Sequence, residues 1–135
     1  MLFRSFVERR RHNFKLLKEK LAPASDKLIL PEACADSNPS WFGFLITCRE
    51  GVNRDSIVSL LESKGVQTRT LFAGNLTKHP CFDLMRKEND GYRIVGELKN
   101  TDTVMERSFW VGVYPGMTDE MLDYMAKTIV EALNN

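Results

Sequence analysis

The sequence predicts a two-layer α+β domain, with helices packed on a mainly antiparallel sheet. Three observations lead there. Segments of helical and strand period follow one another in the order α-β-β-α-β-α-β-α. At 135 residues and 43% hydrophobic content the chain can furnish one compact core. It contains no internal repeat, low-complexity stretch or flexible linker that would divide it.

The first element is a long amphipathic helix. From Leu2 to Leu21 the residues Phe3, Phe6, Val7, Phe14, Leu17 and Leu21 recur at helical spacing, and Pro23 stops the pattern. Arg9, Arg10 and Arg11 fall on the other faces and read as a solvated surface or an interdomain contact. The helix begins without a capping residue, as a segment cut from a longer element does. Residues 1–22 are therefore expected to be the interdomain helix of a larger parent, and 23–135 the α+β domain itself. Phe3, Phe6 and Val7 are expected to leave the start of this helix frayed or self-associating.

Lys27 to Leu30 is a short strand ended by Pro31, and a polar loop with Asp36, Asn38 and Pro39 follows. Trp41 to Cys48 is the strongest strand, rich in aromatic and branched residues. Asn53 caps a helix with a core stripe of Ile57, Leu60 and Leu61, and Gly65 sits where a left-handed cap belongs. Val66 to Phe72 reads as a strand with Gln67, Arg69 and Leu71 on one face. Residues 73–80 have no period and form a loop, with a helical turn through Phe82 to Met85. After a turn at Asn89-Asp90-Gly91, a helix is expected over 95–107, with Leu98, Thr101 and Met105 on one side. Ser108 to Tyr114 is a further strand, closed by Pro115-Gly116. Thr118 starts the last helix, with Asp119 and Glu120 in its first turn and Leu122, Met125, Ile129 and Leu133 as the buried stripe.

Nineteen basic against eighteen acidic residues leave a formal charge of +1. This excludes a strongly electrostatic nucleic-acid or membrane-surface protein. No apolar run approaches the roughly 18 residues that span a bilayer, and the expected location is the cytoplasm. The three cysteines, Cys34, Cys48 and Cys81, lack paired spacing and read as free thiols, with Cys48 as core filler. No metal site is expected from them. There is no Gly-rich phosphate loop, no zinc-protease helix and no nucleophile elbow. Trp41 to Leu45 loosely mimics the aromatic strand of an RNA-recognition motif, but Ser40 stands where its basic residue belongs and the strand precedes its helix. A core strand with one interface-facing aromatic accounts for it better.

The segment from Gln67 to Pro80 places cationic, amide, imidazole and aromatic groups beside small residues. Arginine can clamp a phosphate, asparagine can bond sugar hydroxyls, and small residues allow close approach. Composition alone leaves a ligand loop and an ordinary solvent loop equally open.

The runs KGVQTRTLFAGNLTKHPCF, SWFGFLITC and SFWVGVYPGMTDEMLDYM resemble the C-terminal portion of the DegT/DnrJ/EryC1/StrS sugar aminotransferase family. Gly65-Val66-Gln67-Thr68-Arg69 and Thr118-Asp119-Glu120 match its motifs, and the resemblance extends from the Arg9 region to the last helix. The run Leu71 to Leu76 followed by His79-Pro80 is most similar to the branch of CDP-4-keto-6-deoxy-D-glucose 3-dehydratases of lipopolysaccharide O-antigen biosynthesis. The resemblance implies the small C-terminal domain of a fold-type I pyridoxal-phosphate-dependent enzyme, with the cofactor-binding large domain outside this chain. It implies pyridoxamine or pyridoxal phosphate and a [2Fe-2S] cluster in the parent, neither bound to these residues alone. It implies a CDP-linked keto-deoxy sugar as substrate, a homodimeric parent and a reductase partner. Arg69, Phe72, Asn75 and His79 are the candidate substrate contacts, with Phe42 as a further aromatic candidate; no catalytic residue or metal ligand is assigned to the chain. The competing expectation for Arg69 is a fixed pair with Glu62 or Asp83 that only supports the fold. Two other readings stay open: the same domain of a lysine-dependent sugar aminotransferase, and a free-standing binding or dimerisation module.

Overall fold

A computed structural model of the chain describes residues 2–134. Met1 and Asn135, the outer limits of the two predicted segments, lie outside the described residues. Helix α1 runs over Leu2–Leu21, followed by strands β1 (Leu28–Ile29) and β2 (Gly43–Cys48), helix α2 (Arg54–Ser63) and strand β3 (Thr68–Thr70). Two short 3-10 turns, Leu76–Lys78 and Pro80–Phe82, lead into α3 (Asp83–Glu88). Helix α4 (Lys99–Arg107), strand β4 (Ser108–Gly112) and helix α5 (Asp119–Ala132) complete the chain. The four strands form one antiparallel sheet in the order β1-β2-β4-β3. This is the predicted α+β class.

Alternation along the strands sorts side chains onto two faces. Phe44, Ile46 and Cys48 of β2 and Phe109 and Val111 of β4 are buried on one face. There they join Leu17 and Leu21 of α1, Ile57 and Leu61 of α2, and Leu122, Met125 and Ile129 of α5 in a single core. Burying each such large side chain stabilises the fold by about 1.5–3 kcal/mol. Burial also pushes the Cys48 thiol up to about 11, in keeping with a small apolar filler. Helices α3 and α4 contribute no buried residue to this core.

The caps read from sequence are formed. The Asn53 side chain accepts from the Asp55 and Ser56 amides, and that of Thr118 from Met121. Gly65 has φ +76° and follows α2. Its amide donates to Glu62 O and that of Val66 to Leu61 O, closing the helix end.

Several boundaries differ from the sequence expectation. Strand β2 starts at Gly43 rather than Trp41, and β3 keeps three residues of the predicted 66–72 because it is an edge strand paired only with β4. Helix α4 begins at Lys99, not at residue 95, since Gly96 adopts φ +71° and interrupts helical backbone there. The single turn expected at 82–85 is extended into α3.

Helix α1 is fastened to the C-terminal part of the chain from its middle onward. Arg9 donates to Met117 O and to Asp119 at 2.8 Å, Asn13 donates to Tyr114 O, and Lys20 reaches Asp123 at 2.9 Å. At the start of the helix two of the three residues of the expected stripe are exposed, Phe3 by 80% and Phe6 by 51%, while Val7 is half-buried. His12 and Arg9 hold the Asp119 carboxyl below the usual carboxylate range, and Lys127 and Lys20 do the same for Asp123. Depressed folded-state values contribute stability above the unfolded carboxylate pKa of about 3.9, and that contribution is lost as pH falls through the lower folded values. Combining Asp119→Asn with Asp123→Asn is therefore expected to flatten the acid limb of a plot of urea midpoint against pH. An acid limb identical to that of the parent chain would show that these pairs do not couple protonation to folding.

Candidate functional site

The face of the sheet turned away from the core carries the distinctive chemistry. Cross-strand register sets Leu45 of β2 and Arg69 of β3 on either side of Trp110 of β4. Phe42, just ahead of β2, is 67% exposed, and its ring meets the Trp110 ring edge-on with centroids 5.4 Å apart. A β-carbon at Gly43 would lie 2.6 Å from Trp110 Cε3, so glycine is what lets the indole lie close against β2. Trp41, Phe42, Leu45, Leu71 and Trp110 line a hollow of about 420 Å³ with Glu32 at its edge.

Arg69 borders this aromatic surface. Its guanidinium donates to Thr68 O at 2.8 Å, and both terminal nitrogens also donate to the Gln67 side-chain oxygen, at 2.9 and 3.2 Å; among the described residues it forms no ion pair. Neither expected partner forms an ion pair with Arg69, although the Arg69 charge helps to lower the Glu62 carboxyl pKa. Glu62 accepts from both the backbone amide and the hydroxyl of Thr68, each at 2.6 Å, which lowers its carboxyl pKa. Asp83 pairs with Arg86. Arg69 is an exposed cation without an ion pair, in register with an aromatic ring.

The loop after β3 is shaped from within. Phe72 projects from it, 85% exposed. Asn75 is buried; its Nδ2 donates to Asp102 at 2.7 Å, and its Oδ1 accepts from the amide and hydroxyl of Thr77. It caps the first 3-10 turn. Lys78 reaches the same Asp102 oxygen at 2.9 Å. Asn75 and Lys78 together hold the Asp102 carboxyl below the ordinary range, and Asp102 in turn raises the Lys78 pKa. His79 donates from Nε2 to Ala73 O at 2.5 Å, and Arg86 donates to the carbonyls of Thr77 and His79. Gly74 has φ +69°, and a β-carbon there would fall 2.7 Å from Met105 Cγ, so the loop is seated tightly on α4.

Of the five candidate residues, the structure sets Arg69 and Phe42 on the open face and Phe72 on the solvent side of the loop. The polar atoms of Asn75 and His79 are directed into the loop itself. Trp110 and Asp102 were not singled out from sequence. Alternation in Ser108 to Tyr114 gives Trp110 the opposite phase to Phe109 and Val111, a signal that was available. Asp102 lies 27 residues from Asn75, and no local pattern announces the pair. Asp102→Ala is expected to free the loop: exchange of the Asn75–His79 amides should quicken, reflecting a local loss of about 1–3 kcal/mol, while the amides of β2 and β4 stay unchanged. Equal exchange in both proteins would show that Asp102 does not hold the loop.

A four-stranded antiparallel sheet, covered by helices on one face and open and aromatic on the other, is the α+β domain found in aminotransferase-type enzymes. The solved E. coli GDP-4-keto-6-deoxy-D-mannose-3-dehydratase with bound hydrated pyridoxal phosphate aligns with 93% of this chain at a TM-score of 0.76 and 23% identity, over 31% of its own length. S. venezuelae DesV in complex with a ketimine intermediate aligns with 97% of the chain at the same TM-score and 18% identity, over 33% of its length. The chain belongs to the DegT/DnrJ/EryC1/StrS aminotransferase family, which it matches over residues 2–130. It is 49% identical over 128 residues to lipopolysaccharide biosynthesis protein RfbH of Salmonella typhimurium, covering 93% of this chain and 28% of that protein. It is 46% identical over 129 residues to dTDP-4-dehydro-2,6-dideoxy-D-glucose 3-dehydratase of Saccharopolyspora spinosa, covering 94% of this chain and 27% of that one. The chain therefore spans little more than a quarter of the length of these relatives.

Lys78 is the one lysine of the candidate loop, and it is paired with Asp102. A Schiff-base lysine needs a lowered pKa, whereas the partners of Lys78 raise its value. Among the described residues no three His, Cys, Asp or Glu side chains gather as metal ligands. Cys48 is a buried, raised thiol, and Cys34 and Cys81 are exposed.

Proposed function

We propose that this chain is the substrate-capping part of a nucleotide-sugar 3-dehydratase of deoxysugar and lipopolysaccharide O-antigen biosynthesis. The proposed substrate is a CDP-linked 4-keto-6-deoxy sugar, acted on with pyridoxamine phosphate that residues outside this chain hold. A [2Fe-2S] cluster, a reductase partner and a homodimer belong to the same proposal for the parent enzyme, with residues 1–22 joining this domain to the rest. Identities of 49% and 46% to RfbH and to a sugar 3-dehydratase favour this branch of the family.

The observation that carries the reading is the exposed Arg69 guanidinium, without an ion pair among the described residues, beside an exposed aromatic surface. Arginine presents a planar fork of donors suited to a diphosphate oxygen pair. Phe42, Trp110 and Phe72 offer apolar surface to a sugar ring and exclude water around it. Asn75, His79 and Asp102 act through the loop, fixing where Phe72 stands. In this arrangement the domain binds and orients substrate and supplies no acid or base.

The test is Arg69→Ala in an enzyme that carries this domain. A lost charge-assisted hydrogen bond of about 1.5–3 kcal/mol corresponds to a rise in KM of about tenfold to a hundredfold, with thermal unfolding unchanged. A lowered unfolding temperature with unaltered steady-state constants would assign Arg69 to the fold instead.

A further inference from the structure

A second hollow, of about 230 Å³, opens between the Leu76–Lys78 turn and α3. Leu76, Phe82, Met85 and Tyr92 form its apolar walls, and Thr77 and Arg86 supply the polar part of its lining. All four apolar side chains are substantially exposed, with Tyr92 40% so. Exposed apolar groups around a concave surface are a mark of ligand grooves and of protein contacts. The walls are also held in place: Arg86 bonds Thr77 O, His79 O and Asp83, tying α3 to the turn.

We propose that this hollow receives the pyrimidine base of the nucleotide sugar. The assignment rests on the nucleotide-sugar reading above and adds the subsite for one end of that substrate. Size is the first argument. The hollow is smaller than the roughly 300–1,000 Å³ of pockets that enclose a whole drug-sized ligand, and suits one heterocyclic ring. Chemistry is the second. A phenol ring, a phenyl ring and a thioether present the flat and polarizable surfaces on which a base stacks. Arg86 uses three contacts internally, and a guanidinium has about five N–H donors, which leaves donors for the ring carbonyl of a pyrimidine. Position is the third. Leu76 and Thr77 line the hollow and belong to the same loop as Phe72 and Asn75, so base and sugar would be read by one continuous segment. A relative at 46% identity is named for a thymidine diphosphate sugar, which carries a single-ring base.

The test follows the Met85 methyl resonance in the full chain during titration with CMP, dTMP, GMP and ribose 5-phosphate. CMP and dTMP should shift it saturably through the ring current of the stacked base, and ribose 5-phosphate should not. Tyr92→Ala should weaken CMP binding by about tenfold or more, and Tyr92→Phe should keep it within about twofold, because stacking uses the ring face. Unchanged methyl resonances of Met117 and Met125 in both variants would confirm an intact core. The proposal is overturned if Met85 does not respond to CMP, if Tyr92→Ala binds as tightly as the parent chain, or if ribose 5-phosphate gives the same shift. GMP binding as tight as CMP would overturn the pyrimidine assignment. Titration of an enzyme carrying this domain with a nucleotide sugar separates the two readings. A response at Trp110 with none at Met85 sinks the base subsite and leaves the substrate face standing. A response at Met85 with none at Trp110 does the reverse.

Discussion

Phe44→Ala is expected to lower the unfolding free energy by about 3–5 kcal/mol, the usual cost of truncating a buried phenylalanine. Phe44 is fully buried in β2, paired with Val111 of β4 and with its ring centroid 4.8 Å from that of Phe14 on α1. It therefore joins the sheet to the first helix, and the hole left by its ring is bordered by backbone on the sheet side that cannot collapse inward. Domains of this size are stable by about 5–15 kcal/mol, so the variant should sit near the edge of folding. Urea denaturation followed by circular dichroism measures the loss. A change under about 1 kcal/mol would mean that neighbouring side chains refill the space and that the core does not depend on this ring.

Gly43→Ala is expected to cost about 1–3 kcal/mol, the range for overpacking, although alanine adds a single methyl and the position is half-buried on the open face. The cause is the 2.6 Å approach of a β-carbon to Trp110 Cε3, where the obstacle is a rigid indole rather than a flexible chain end. Relief requires Trp110 to tilt away from β2 and break its edge-on contact with Phe42. The fluorescence of Trp110, isolated by replacing Trp41 with phenylalanine, should therefore change along with stability. Because Trp110 and Phe42 belong to the proposed substrate surface, the same change should weaken nucleotide-sugar binding in an enzyme carrying the domain. Full stability with an unaltered indole spectrum would show that the strand can shift to make room.

The layers of the fold were legible because the residues that build them act locally. Leu17 and Leu21, Ile57 and Leu61, and Leu122 and Ile129 recur at the helical period, and each pair is buried where the period predicts. Asn53, Gly65 and Thr118 signal their helix ends through their own side-chain or backbone preferences. The 73–98 stretch was less legible, because its shape comes from partners far along the chain. Asn75 is held by Asp102, Gly74 abuts Met105, and Arg86 reaches back to Thr77 and His79. A lone asparagine beside small residues reads equally well as a ligand contact or a cap, and only the placement of Asp102 shows that its amide is engaged. Arg69 was the opposite case. Its phase on the strand sets it across from Trp110, but that Glu62 would bond Thr68 while Gln67 and Thr68 O take up guanidinium donors could not be read from spacing.

The fastening of α1 onto α5 has a consequence for biosynthesis. Asn13 bonds Tyr114 across 101 residues, Lys20 bonds Asp123 across 103, and Arg9 bonds Asp119 across 110. During translation the first helix leaves the ribosome long before the segment that covers it exists. Leu17 and Leu21 then wait for α5 to complete the core around them. Contacts so distant along the chain carry a loop-closure cost and slow the final docking step, so this domain completes its core only after synthesis of α5. A nascent chain stalled before Asp119 would lack the helix that fastens α1, leaving the kind of incomplete core that chaperones engage.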